Sequence, residues 1–233
     1  MRDRAIGALF LLAIACYSMG SSLAESTGEG VESFIQATGA LLMLGNSVCV
    51  AAIGVLMHPV LRPHDENVAL GYVVSRCAEA ILLVVGAICL LSQQALADSR
   101  GSTASPQLFY EDFVEAIRGV LLKANFFAYQ MAMCVLGLGS LPVCAALLRS
   151  GLLPGWLSIW GLVGYATFLA GGIAELFGAP IGVLLSAPAG LFEIALPFWL
   201  FFKGFARDAP VLLPTTDVHA QSRSPNRQRR ALT

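Results

Sequence analysis

Apolar positions along the chain gather into six long runs, at 5–23, 34–57, 67–92, 125–148, 156–177 and 180–202. A helix needs about 20 mostly apolar residues, rising about 1.5 Å each, to cross about 30 Å of hydrocarbon, and each run meets that length. Backbone amides and carbonyls find no water in lipid, so the runs are predicted as helices and not as open sheet. The fold class is therefore all-α, a polytopic membrane helical bundle with six transmembrane helices. Two regions follow: a six-helix transmembrane domain over 1–204 and a tail over 205–233.

The connections are short, with one exception. Arg149-Ser150-Gly151 ahead of Pro154 predicts a tight hairpin that makes spans four and five antiparallel neighbours. The segment 93–124 is longer. After Ser105-Pro106 it carries Phe109, Phe113, Ile117 and Leu121 at four-residue spacing, which predicts an amphipathic helix continuing into span four. Such a helix lies on the bilayer face, caps the bundle, or forms a lid over a cavity. Beyond Ala206, Pro210, Pro214 and Pro225 alternate with Ser, Gln and Arg, a composition that buries no core and predicts a disordered, basic cytoplasmic tail.

Composition narrows the class. The chain has 233 residues, 57% of them hydrophobic and 12% charged, against about 25% charged in a globular domain. A water-soluble enzyme is excluded, and a nucleic-acid binder lacks the basic folded surface it needs. Membrane lipids are the partners composition implies.

Charge matters here through its position. Arg2, Arg4, Arg62, Arg149, Lys203, Arg207, Arg223, Arg227, Arg229 and Arg230 fall on one side of the spans, and Arg100, Arg118 and Lys123 on the other. This asymmetry predicts both termini cytoplasmic in a multi-pass protein of the cell inner membrane. Trp156, Trp160 and Trp199 gather toward the same interface. Span one also reads as a secretory signal, with Ser22-Leu23-Ala24 as a small-residue cleavage site; the other five spans keep their orientation either way. The six cysteines Cys16, Cys49, Cys77, Cys89, Cys134 and Cys144 sit within apolar runs at no metal-binding spacing and read as small hydrophobes.

The residues that carry chemistry are the ionisable ones inside the spans. Arg76 and Glu79 lie nine and twelve residues into span three, and Glu193 lies nine from the inner end of span six. Equal offsets put Arg76 and Glu193 at similar depth, so they are predicted as partners. A mid-membrane charge costs about 2.5–3.5 kcal/mol on insertion scales, so the two in span three nearly cancel what its Leu, Ile and Val return. These charges must face protein, and Arg76 and Glu79 at i, i+3 share a helix face. One Arg with two carboxylates leaves a net negative charge, which a low-dielectric site tends to neutralise by taking up a proton.

Asn46, Ser47 and Gln130 add polar groups inside spans two and four, and Pro188 interrupts span six one turn before Glu193. The candidate ligand or proton site is accordingly Arg76, Glu79, Glu193 and Asn46. Glu175, His58 and His64 read as interfacial or loop residues. No cofactor motif, metal site, phosphate loop or catalytic triad stands out.

Tyr72-Val73-Val74-Ser75-Arg76-Cys77-Ala78-Glu79, the hairpin Leu147-Leu148-Arg149-Ser150-Gly151-Leu152-Leu153-Pro154-Gly155-Trp156, and Pro188-Ala189-Gly190-Leu191-Phe192-Glu193 leading into Trp199-Leu200-Phe201-Phe202-Lys203-Gly204 together resemble the bacterial membrane family called domain of unknown function 4386. The resemblance runs through residues 5–204 and implies a bacterial inner-membrane bundle, with no activity or cofactor attached. The family pattern includes the Arg and Glu of span three and the Glu of span six, which match Arg76, Glu79 and Glu193.

Three functions remain open on the sequence. The polar centre binds a small lipophilic ligand or a proton. Alternatively, Glu79 or Glu193 acts as an acid on an isoprenoid or lipid, with Tyr72 and Phe192 stabilising a carbocation. Thirdly, the chain is a structural or regulatory subunit, with Gly137, Gly139, Gly161 and Gly164 allowing close helix approach. A purely structural ion network across three helices is the plain alternative to any site.

Overall fold

A computed structural model of the chain describes residues 1–24, 33–100 and 108–206. These form six helices, α1 Arg2–Ala24, α2 Ser33–Leu61, α3 Glu66–Arg100, α4 Leu108–Ser150, α5 Gly155–Leu176 and α6 Gly182–Phe202. All six are long and apolar enough to cross a membrane, and the described residues contain no strand. The tail from 207 onward and the Ser105-Pro106 start lie outside the described residues.

The helices stand in a ring. Each packs on its neighbours in sequence, and α1 closes the circle against α6 in its least extensive seam. Six spans return the chain to its starting side, so one end of the bundle, called here the terminal end, carries the start of α1 and the end of α6. Large apolar side chains such as Leu41, Val74, Ile81 and Val163 point outward, the arrangement that suits a lipid solvent.

Local chemistry sets the boundaries. Asp65 caps α3 by accepting the Val68 amide at 3.0 Å, a role not read from its loop position. Gly151 takes φ +69° just past α4, and Pro154 starts α5 with φ −61°, which gives the tight hairpin its sequence predicts. The amide of Ala206 then donates to the Leu152 carbonyl at 3.0 Å, tying the end of α6 to this hairpin. Glu175 is less a surface charge than a cap, since it accepts the amide of Gly182 at the start of α6 at 2.9 Å.

Of the long connection, residues 93–100 extend α3 and residues 108–124 begin α4. α4 runs 43 residues, about 65 Å at about 1.5 Å each, and projects with α3 beyond the bilayer on the side away from the termini. Its buried position there is Val114, whereas Phe113 is exposed. Ile117 and Leu121 of the predicted stripe are half-buried and, three and seven residues on from Val114, share its face.

Beneath these elements the terminal end is densely filled. Ile6, Phe10, Leu61, Leu147, Leu157, Phe192, Leu200 and Phe205 belong to one core cluster. Close backbone approach seals it. A β-carbon on Gly7 would meet the Pro197 carbonyl oxygen at 3.1 Å, and farther along, where α5 meets α6, one on Gly164 would meet the Ala189 α-carbon at 3.1 Å. Gly137, Gly139, Gly161 and Gly164 all face helices of this same chain. Trp160 donates to the carbonyl of Pro188 at 3.1 Å, and Trp156 packs edge-on against Trp199, over which the Lys203 ammonium sits 5.1 Å from the ring centre.

Candidate functional site

Above this packed end the ring encloses a cavity of about 260 Å³ to which every helix contributes. Its floor is polar. α3 brings Arg76 and Glu79 in from one side, and α6 brings Glu193 from the other. Counted from Glu66 and from Phe202, Arg76 and Glu193 lie about 15 and about 13 Å from the terminal ends of their helices, the matched depth that the sequence offsets predict. Asn46 of α2 lines the same cavity, so all four candidate residues face one space.

Their pairing differs from the expectation. Arg76 Nη1 donates to Glu79 Oε2 at 3.0 Å, with both side chains 3% exposed. Glu193 Oε1 instead accepts the Tyr165 hydroxyl at 2.8 Å. Among the described residues Arg76 is ion-paired along its own helix, not across to α6. A turn-spaced pair on one helix needs no neighbour to meet, and it removes the reading in which one ion network locks three helices together.

Arg76 is held on further sides. Its Nε donates to the Tyr72 hydroxyl at 2.9 Å, and its guanidinium lies 5.1 Å from the Tyr72 ring centre and 5.5 Å from that of Phe10. A guanidinium between two aromatic faces keeps its planar fork aimed in a fixed direction. One donor is left over: Nη2 is buried and has no hydrogen-bond partner among the described residues. An unsatisfied charged donor in a buried site costs more than a lost neutral hydrogen bond, so the group calls for an acceptor that the chain does not supply.

The acceptors are likewise incompletely used. Glu79 Oε1 and Glu193 Oε2 make no hydrogen bond to the described residues, nor does the Asn46 amide. Ser47, by contrast, turns back to its own helix, donating to the Met43 carbonyl at 3.2 Å. The remaining walls are apolar or aromatic, among them Ile14, Val50, Leu83, Met133, Leu136 and Phe168. Tyr129 stacks on Tyr17 at 5.6 Å across the upper part. The arrangement is a greasy space with a small set of convergent polar groups at its base, the form of a small-molecule site.

Tyr165 and Tyr129 were not singled out by sequence reasoning. A tyrosine in an apolar run looks like any other core aromatic, and the one available signal is that a buried hydroxyl needs a partner. Phe192, in turn, packs on Trp160 and Tyr165 rings and does not line the cavity. Six free cysteines are distributed over the bundle, and no cluster of metal-ligating residues occurs among the described residues.

No curated protein and no solved structure shows a significant match to the chain. The family model described as Domain of unknown function (DUF4386) does, over residues 5–204. That span covers all six helices and the cavity they enclose, and the chain belongs to this family.

Proposed function

We propose that this membrane protein binds a small lipophilic molecule in the cavity at the centre of its bundle, with the ligand's polar end at Arg76. The observation that carries the reading is the buried, unpartnered Nη2 of Arg76 at the base of a roughly 260 Å³ space with apolar walls. Water fits the polar base, but the walls formed by Val50, Leu83, Met133, Leu136 and Phe168 offer it few partners. The volume lies just below the roughly 300–1,000 Å³ of small-ligand clefts. It exceeds by far what one bound proton needs.

Acid catalysis on a lipid gains less from the geometry. The Tyr165 hydroxyl donates to Glu193 Oε1, so that oxygen is an acceptor, and Glu79 is occupied by Arg76.

The test is photolabelling in liposomes with a diazirine-bearing decanol. Adducts on Met133, Leu136 and Phe168, displaced by excess plain decanol, are the expected result. Adducts confined to lipid-facing residues such as Val163 and Leu184 would refute the reading.

A further inference from the structure

The α1–α6 seam changes character along its length. At the terminal end Gly7 sits against Pro197 and Leu200, and Pro197 is buried. One α6 face then continues through Glu193, Gly190 and Ser186 at helical spacing. Along it exposure rises from buried Pro197, through half-buried Glu193, to exposed Gly190. The facing side of α1 follows the same course, from buried Gly7 and Phe10 through half-buried Ile14 to exposed Ser18. Ile14, Ser18, Ser186 and Gly190 all line the cavity as well. The seam is closed at its base and parts above the level of Glu193.

Gly190 is the informative residue. A glycine inside a helix is destabilising relative to alanine, by roughly 0.5–1 kcal/mol in water, and is kept where another backbone comes close. Gly164 of this bundle meets that condition against Ala189, whereas a β-carbon at Gly190, as at Gly71 and Gly119, would meet nothing within 4 Å. Gly190 differs from those two in lining the cavity. An open gap in the cavity wall there, flanked by lipid-facing Leu184 and Leu191, joins the hydrocarbon to the polar base.

The free polar groups specify what passes. Arg76 Nη2 needs an acceptor, and Glu79 Oε1 and Glu193 Oε2 need a donor. An anionic head would satisfy Arg76 but bring a second negative group to a guanidinium that is already paired with Glu79 at 3.0 Å. An ammonium head would satisfy the carboxylates and leave Nη2 bare. A hydroxyl both accepts and donates, and adds no charge.

Resting on the binding reading above, we infer that the α1–α6 seam at Gly190 is a doorway from the bilayer through which a single-chain lipophilic alcohol enters to seat its hydroxyl on Arg76 and a neighbouring carboxylate.

The experiment uses the full chain in liposomes and the diazirine-bearing decanol, reading adducts on Met133 and Phe168. Gly190→Trp has room for its side chain at the mouth and should cut the initial labelling rate about tenfold, while Leu184→Trp, on the lipid face of the same helix, should leave it unchanged. Among competitors of equal chain length, decanol should displace the probe at about tenfold lower concentration than decanoate or decylamine, the ratio set by one unsatisfied buried partner. Labelling of Gly190→Trp at the wild-type rate would overturn the doorway. Equal competition by decanoate or by decylamine would overturn the hydroxyl assignment. If wild-type protein takes no label on Met133 or Phe168 while its lipid face is labelled, the binding reading itself fails, and the doorway with it.

Discussion

The two seams of α6 are built in opposite ways. Against α5, Gly161, Gly164 and Gly171 let the helices approach until backbone or ring atoms meet along the length of the pair. Against α1, Gly7 makes such an approach at the base, and farther along Gly190 faces nothing and borders the cavity. In lipid there is no hydrophobic force to bring helices together, so close packing must be built where stability is needed and can be omitted where space is needed. The closed seam acts as the frame, and the open one is where a ligand can be received.

Arg76 lies at the base of the cavity, paired with Glu79, and its loss should have the largest effect. Arg76→Met leaves Glu79 buried without its cation, a cost of about 3–5 kcal/mol. Thermal unfolding in detergent should show a large drop in midpoint, partly recovered in the Arg76→Met, Glu79→Gln double variant. An unaffected single variant would mean that the charges carry no structural weight. The contrast between the seams is sharpened by one substitution made twice. Gly164→Leu should cost about 1–3 kcal/mol through overpacking against Ala189, whereas Gly190→Leu, with open space for its side chain, should hold the unfolding midpoint at or above that of wild type. Equal losses at both sites would erase the distinction. Gly190→Ala should go the other way, raising stability by up to about 1 kcal/mol through helix propensity alone. The smallest effect belongs to the exposed pair Arg62 and Glu66, 3.1 Å apart: Arg62→Ala should change stability by less than about 1 kcal/mol.

Much of this contrast is legible in the chain and some of it is not. The runs of apolar residues mark six helices because lipid leaves the backbone no other choice, and Gly151 with Pro154 marks the hairpin because both have fixed backbone preferences. The cost of mid-membrane charge points to Arg76, Glu79 and Glu193 in the same way. Pairing is harder to read. Equal depth makes Arg76 and Glu193 look like partners, but depth does not report which way a side chain turns, and a hydroxyl from Tyr165 occupies the carboxylate instead. Val114 in place of Phe113 on the buried face of α4 has a similar cause, because an apolar stripe does not report which of two neighbouring residues turns inward. Gly190 is the extreme case. Its sequence context resembles that of Gly161 and Gly164, and only the positions of the surrounding helices separate a glycine that permits contact from one that preserves a gap.

The central claim is that the space above Arg76 belongs to a lipophilic ligand, and the most direct measurement is an experimental density map of the protein purified from its own membrane in nanodiscs. The account expects an elongated non-protein feature that touches Arg76 Nη2 and runs past Gly190 toward the bilayer. A collapsed bundle centre, with Arg76 bonded directly to Glu193 and no volume between α1 and α6, would contradict it.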